Sequence, residues 1–439
     1  MSLRSVLALL LALMLASMFV VAGCQPVDEV EPPDNDVEVM GTVSVMGVWG
    51  GDELAAFEEV VAGWETATGG TVEFESTRDL SAILRTRVAG GNPPDLAVLP
   101  NPALMQEFAV DGELVALGDI LDMGMMTSDY SDAWIDLGTV DGNLYGVFVK
   151  AATKSTVWYN PAEFEAAGYD IPETWDELIA LSDQIVADGN TPWSIGIESG
   201  GATGWPATDW IQEIHLAEFG PDLHDQWLDH EIPWTHDSIR GAFERFGEIA
   251  LNEEYVVGGV DNILATSFED ASFLPFEDQP RAYLYFLGAF TQGFIEGQFP
   301  DLEPLVDYDF FKFPMIDPEF EGSVTGGADV AVMFNDTPES RSLMEYLADG
   351  ANWEPWARAG GFASPSLSLS LDVYPDEIAA KAAEQLTESA IFRFDVDDLM
   401  PAELQSAYFS GIVDYLQDPD DLDAILERLD AVAVDAYAE

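Results

Sequence analysis

The sequence predicts an α/β protein built as two lobes, and three observations carry that expectation. Residues 42–99 read as strand, helix, strand, helix, strand; a second strand-and-helix pattern starts near Lys150; and 439 residues are enough for two cores of ordinary domain size. Nearly half of the residues are apolar (48%), so most of the chain can fold rather than stay solvated.

Thr42 to Val48 has strand composition, and Leu54, Phe57, Val60, Val61 and Trp64 then recur at helical spacing. Thr71 to Phe74 forms a second strand, Leu80, Ile83, Leu84 and Val88 mark a second helix, and Asp95 to Leu99 is a short buried strand. This order calls for parallel strands joined by right-handed crossovers. In the second region Thr153 to Tyr159 reads as a strand. Thr174-Trp175-Asp176-Glu177 is a capping box opening a helix that runs to about Gly189, and Trp193 to Ile197 is a further strand. Another strand, turn and helix begin near Phe313. No internal repeat is present.

Residues 1–23 read as an export signal: Arg4 supplies a lone positive charge, and the run from Val6 to Ala22 carries no charged group. It ends in Val21-Ala22-Gly23-Cys24, which resembles a lipobox with Cys24 as the lipidated residue; a plain transmembrane anchor is the alternative reading. Cys24 is the only cysteine, so no intramolecular disulfide can form. Residues 24–40 are acidic and proline-bearing, which is linker composition.

With 82 Asp and Glu against 15 Lys and Arg, the formal charge is −67, which repels nucleic acid and anionic lipid. His215, His224, His230 and His236 fall in one stretch, but their spacing fits no zinc pattern, so neither a metal nor a cofactor is expected. There is no G-x-S-x-G elbow, no phosphate loop and no spare thiol. A carboxylate pair at glycosidase separation is uninformative in so acidic a chain.

In open α/β sheets, ligands bind beyond the carboxyl ends of the strands. There the sequence places Trp49, Arg78 with Asp79, and Asn101. An indole face with forked donors and acceptors suits a sugar ring and its vicinal hydroxyls. A second cluster runs from Glu198 through Trp205 to Asp209, where Trp205 is the preferred stacking residue and Asp209 could equally cap a helix. Gly327 with Asp329, and Trp356 with Arg358, are further candidates; the alternative for each is a turn or a surface loop.

The stretches STRDLSAILRTRVAGGNPPDLAVLPNPALMQEFA, ATKSTVWYNPAEFEAAGYDIPETWDELIALSDQI, TPWSIGIESGGATGWPATDW, WARAGGFASP and FRFDVDDLMP resemble the carbohydrate-specific extracellular solute-binding proteins of ABC transporters, and within them the alpha-glucoside type. The resemblance implies a type II periplasmic-binding-protein-like fold: a first lobe of residues 41–149 and 313–348, a second of 150–312 and 349–439, and a sugar in the cleft. It implies that Trp49, Arg78, Asp79 and Asn101 line the first side, Glu198, Trp205, Asp209 and Phe268 the other, and Gly327, Asp329, Trp356 and Arg358 the hinge region. It also implies a monomer that delivers a small carbohydrate to permease subunits from the outer face of the membrane. A secreted glycoside hydrolase and a non-transport surface lipoprotein remain the alternatives. The resemblance also implies a bridge between two cysteines where this chain has Ser194 and Tyr283, so that bridge is not expected here.

The acidic excess predicts mutual repulsion across the folded surface, a composition suited to a saline medium. The melting temperature should therefore rise as sodium chloride is added and screens that repulsion. A melting curve indifferent to salt would count against this.

Overall fold

The computed structural model describes residues 41–77 and 79–438; the expected signal, Cys24, the linker and Arg78 lie outside the described residues. The first sheet opens with β1 (Thr42–Gly47), β2 (Thr71–Ser76) and β3 (Leu96–Leu99), parallel with β1 in the middle. A small ribbon, β4 (Thr139–Val140) and β5 (Asn143–Leu144), precedes β6 (Gly146–Thr153). A second sheet holds β7 (Thr156–Tyr159), β8 (Trp193–Ser194), β9 (Leu284–Phe286) and β10 (Asp309–Lys312), in the order β10-β7-β9-β8. β11 (Ser323–Met333) then returns to the first sheet, antiparallel to β3 and β6, and β12 (Ile391–Phe394) lies parallel beside it.

Side-chain alternation puts a core on each face of both sheets. In the first, Val43, Val45, Leu96 and Val98 face one core, while Met46, Ala97 and Leu99 face the other. In the second, Val157, Leu284 and Phe311 share one core, while Trp158, Tyr285 and Phe310 share the opposite one. No described helix is long and apolar enough to cross a membrane.

Two expectations from sequence need correction. The strand expected over Thr153 to Tyr159 is two strands, because the chain leaves one sheet for the other at Lys154 and Ser155. The boundary expected at 348 and 349 also moves. Trp353, Trp356, Phe362 and Tyr374 pack in the same core as Val43 and Phe57, whereas Val396, Leu404 and Tyr408 pack in the second lobe. The cause is aromatic: the Trp356 and Trp353 rings stand 4.8 Å and 6.3 Å from that of Trp49, nearly perpendicular to it. The third crossing therefore lies after β12, near Asp395. Ser194 and Tyr283 make ordinary contacts. Ser194 donates to the Ala271 carbonyl at 2.7 Å, and Tyr283 packs edge-on to Tyr169.

All three crossings meet one helical segment, Trp205–Leu228, which is broken at Gly220. Gly204 caps its start with φ 117°, and a Cβ there would come within 2.6 Å of the Phe409 carbonyl, so glycine is required by both backbone and space. Asp209 accepts from Lys154 at the first crossing (3.0 Å). Gln212 accepts from the Val396 amide at the third (2.7 Å). Glu213 accepts from the Ser155 hydroxyl at the first (2.6 Å) and from the Thr325 amide on β11 at the second (3.0 Å). These three helical side chains are fully buried, so each bond is made where an unpaired group would be costly.

Burial raises the Glu213 carboxyl to about 7 from its ordinary 4.5, outweighing the hydrogen bonds from Ser155 and Thr325 that favour its charge. The folded protein therefore holds this proton more tightly than the unfolded chain does. The resulting stability is full below about 4.5 and is lost as pH rises through 7. Glu213→Gln removes that slope: the melting temperature of the variant minus that of the native chain should climb between pH 5 and pH 8 (roughly the window between the two values). A difference that stays flat across those pH values contradicts the assignment.

Candidate functional site

The site grows from the carboxyl ends of β1 and β3, the three crossings, and the start of the long helical segment. Trp205 opens that segment half-buried, with Phe268 edge-on at 5.0 Å and Phe290 at 6.2 Å. The Lys154 ammonium stands 5.6 Å from the Trp205 ring centre, within cation–π range. An aromatic wall and a fixed cation thus share one corner of the junction.

Lys154 is itself buried among carboxylates. It bonds Asp395 and Asp209, with Asp398 at 3.9 Å. Burial alone would lower the Lys154 pKa, but Asp209, Asp398 and Asp397 outweigh it and hold the ammonium charged. One ammonium cannot offset so many buried carboxylates, and their own affinities for protons reflect that. Burial lifts Asp209 to about 6 against the pull of Lys154, and burial likewise lifts Asp397 and, further, Asp398. Oxygens of Asp209, Asp395 and Asp397 lie within 4.8 Å of one another, a spacing a metal could use. The lysine contacting Asp209 and Asp395 supplies the positive charge there.

The sequence-derived residues fall into three groups. The first is gathered at the junction: Trp205, Phe268, Asp209 and Gly327. Asp209 does not cap the helix; it lies inside it, fully buried, and Gly204 is the cap. Gly327 on β11 lies against Lys154, where a Cβ would meet Cε at 3.2 Å. Glu198 is half-buried nearby in sequence, accepting from the Gly200 amide at 2.9 Å, and its backbone bridges to Ser267, the residue before Phe268.

The second group lies on the first-lobe rim. Asn101 follows β3, caps the Pro102–Val110 helix through its side-chain oxygen at 3.2 Å, and points its amide nitrogen at Gln405. Asp329 on β11 accepts from the Trp49 indole N–H at 2.7 Å and lies 4.0 Å from the Lys150 ammonium. The ladder between β11 and β6 breaks register between Asp329 and Val330, a bulge at this rim. Lys150 pairs with Glu53 and lies 5.2 Å over the Trp356 ring.

The third group departs from expectation. Trp49 and Trp356 are each only 1% exposed, so neither offers an open face; they are core residues whose partners, Asp329 and Lys150, carry polarity to the rim. Arg358 is 59% exposed at the end of its helix and pairs with Glu354 one turn back. Asp79 is exposed before the Leu80–Ala89 helix without capping it through its side chain.

Sequence reading missed Lys150, Lys154, Gln212, Glu213, Asp395 and Gln405. The usable signal was scarcity: with 15 basic residues in the chain, two lysines within an apolar strand stretch stand out. Beside the aromatic corner, a small pocket is lined by Ala151 and Ala152 of β6, by Ala289, Phe290 and Gln292 after β9, and by Phe362. An aromatic wall, buried carboxylates of fixed orientation and rim amides can together hold a neutral, hydroxyl-rich ring.

Comparison with known proteins agrees with this architecture. Residues 50–348 match the family model of the bacterial extracellular solute-binding proteins. The chain is 40% identical to the osmoprotective compounds-binding protein GgtB of Synechocystis sp., over 92% of this chain and 94% of that one. It is 36% identical to the alpha-glucosides-binding periplasmic protein AglE of Rhizobium meliloti, over 85% of this chain and 83% of that one. Among solved structures, the solute receptor AcbH superposes with a TM-score of 0.79 at 20% identity, covering 90% of this chain and 99% of that one. RafE in complex with raffinose superposes at 0.73 with 18% identity, covering 90% and 99%. The two sheets, their crossings and these matches together place the chain in the family of bacterial extracellular solute-binding proteins.

Proposed function

We propose that this chain is the extracytoplasmic substrate-binding component of an ABC importer, taking a small carbohydrate of the α-glucoside class and passing it to permease subunits without altering it. The observation that carries this reading is the corner at the lobe junction, where the half-buried Trp205 and Phe268 stand beside Asp209 and Lys154. The relative named for binding alpha-glucosides supports the ligand class. Lipid attachment at Cys24 would keep the monomer at the outer membrane face, and the acidic linker would give it reach.

In the proposed mechanism a sugar ring packs its C–H face on Trp205 and Phe268. Glu198, Asn101 and Asp329 orient the hydroxyls, the buried Asp209 holds Lys154 behind them, and Gly327 lets the strand pass close to Lys154. Trp49 and Trp356 support the rim from below, and Arg358 and Asp79 are its exposed outer groups. Contacts on both lobes favour the closed state over the open one, which is the free-energy difference that drives closure.

The test is a thermal-shift and calorimetric screen against sucrose, trehalose, maltose and raffinose, followed by product analysis. Saturable binding with no product is expected; hydrolysis would favour the glycosidase alternative, and no stabilisation by any sugar would defeat the proposal. Trp205→Ala should weaken the best ligand by about ten-fold or more, given what one stacked, desolvated aromatic contributes. Arg358→Ala should cost less, because an exposed ion-pair partner contributes little. Equal or reversed losses would remove Trp205 from the contact surface.

A further inference from the structure

One hydrogen bond joins side chains of different lobes beside the third crossing. Asn101 stands at the end of β3, in front of Leu104 and Met105 of a first-lobe core. Gln405 lies on the Ala402–Gln417 helix, whose Leu404, Tyr408 and Ile412 belong to the second-lobe core. The Asn101 amide nitrogen donates to the Gln405 side-chain oxygen at 3.3 Å.

Both amides are oriented by their other partners. The Asn101 oxygen is committed to the Leu104 amide at 3.2 Å, so its nitrogen must point outward. The Gln405 nitrogen faces Asp397 at 3.4 Å and Asp398 at 3.5 Å, which leaves its oxygen for Asn101. Asp398 in turn lies 3.9 Å from Lys154. The donors thus run one way, from a helix cap in the first lobe to the carboxylate cluster at the crossings, and neither amide can flip without facing a like partner.

We propose that Asn101 and Gln405 form an interlobe latch, which biases the lobes toward the closed arrangement through protein contacts alone, before any sugar contributes. The inference rests on the reading of the junction as a binding cleft, and it adds Gln405 as a positioning residue. A pre-biased cleft lowers the share of binding energy spent on closing, so the latch tunes affinity.

The experiment measures lobe separation without sugar. Nitroxide labels are placed at Val110→Cys and Glu165→Cys in the full chain carrying Cys24→Ser, and distance distributions are recorded by pulsed electron resonance. Asn101→Ser keeps a capping hydroxyl but loses the amide donor, and Gln405→Met keeps length and helix preference but loses the acceptor. Each should shift the closed-to-open ratio by about two- to ten-fold, as one net hydrogen bond allows, and the double variant should shift it no further. Identical distributions in native chain and variants, or fully additive shifts, overturn the latch. Because no sugar is present, a failed ligand screen leaves this test intact. Unchanged melting temperatures in Asn101→Ser separate loss of the latch from loss of the cap.

Discussion

The burial of Lys154 among Asp209, Asp395 and Asp398 is the constraint on which the junction depends. These residues come from the first crossing, the long helical segment and the third crossing, so their attraction ties together chain regions far apart in sequence. Taking one member away would leave the others charged in a poor dielectric, which costs far more than the intact set gains. The cluster is thus better understood as specifying geometry than as adding stability. Gln212 and Glu213 repeat the logic one turn on, with neutral and hydroxyl partners in place of the ammonium.

That arrangement explains why binding equipment collects where it does. The helical segment that receives the crossings also starts at Gly204 and presents Trp205 first, so the proposed stacking surface is fixed by the element that meets the crossings. In the proposed closure, a relative rotation of the lobes would pivot at the crossings beside the Trp205 corner. Placing Trp49 and Trp356 in the core stiffens the first-lobe rim, where Asp329 and Lys150 are their polar partners.

Much of this was legible in residues 42–99, where strand and helix periods alternate cleanly and each element packs against its sequence neighbour. The end of β3 and its following cap at Asn101 were readable for the same reason. Legibility failed where partners are distant. Nothing local distinguishes Asp209 as a helix cap from Asp209 as a buried partner of Lys154, because the deciding contact is 55 residues away. The second-lobe place of the Trp353 and Trp356 segment rested on the resemblance alone, whereas ring packing on Trp49 makes the choice. Trp49 itself was read as an open plate because position at a strand end shows location but not which way an indole turns. Asp395, Asp397 and Asp398 sat inside a motif that carried family likeness, yet in a chain with 82 acidic residues no carboxylate run announces itself.

The central claim is that a sugar lodges at the strand crossings, against the face of Trp205, with Asp209 held ready by Lys154. A crystal structure with the tightest-binding α-glucoside tests it most directly. The account predicts a ring stacked on Trp205 and Phe268, with hydroxyls bonded to groups from both lobes and the Lys154 cluster intact beneath. A saccharide seated elsewhere, with Trp205 untouched and the crossings closed over nothing, would contradict it.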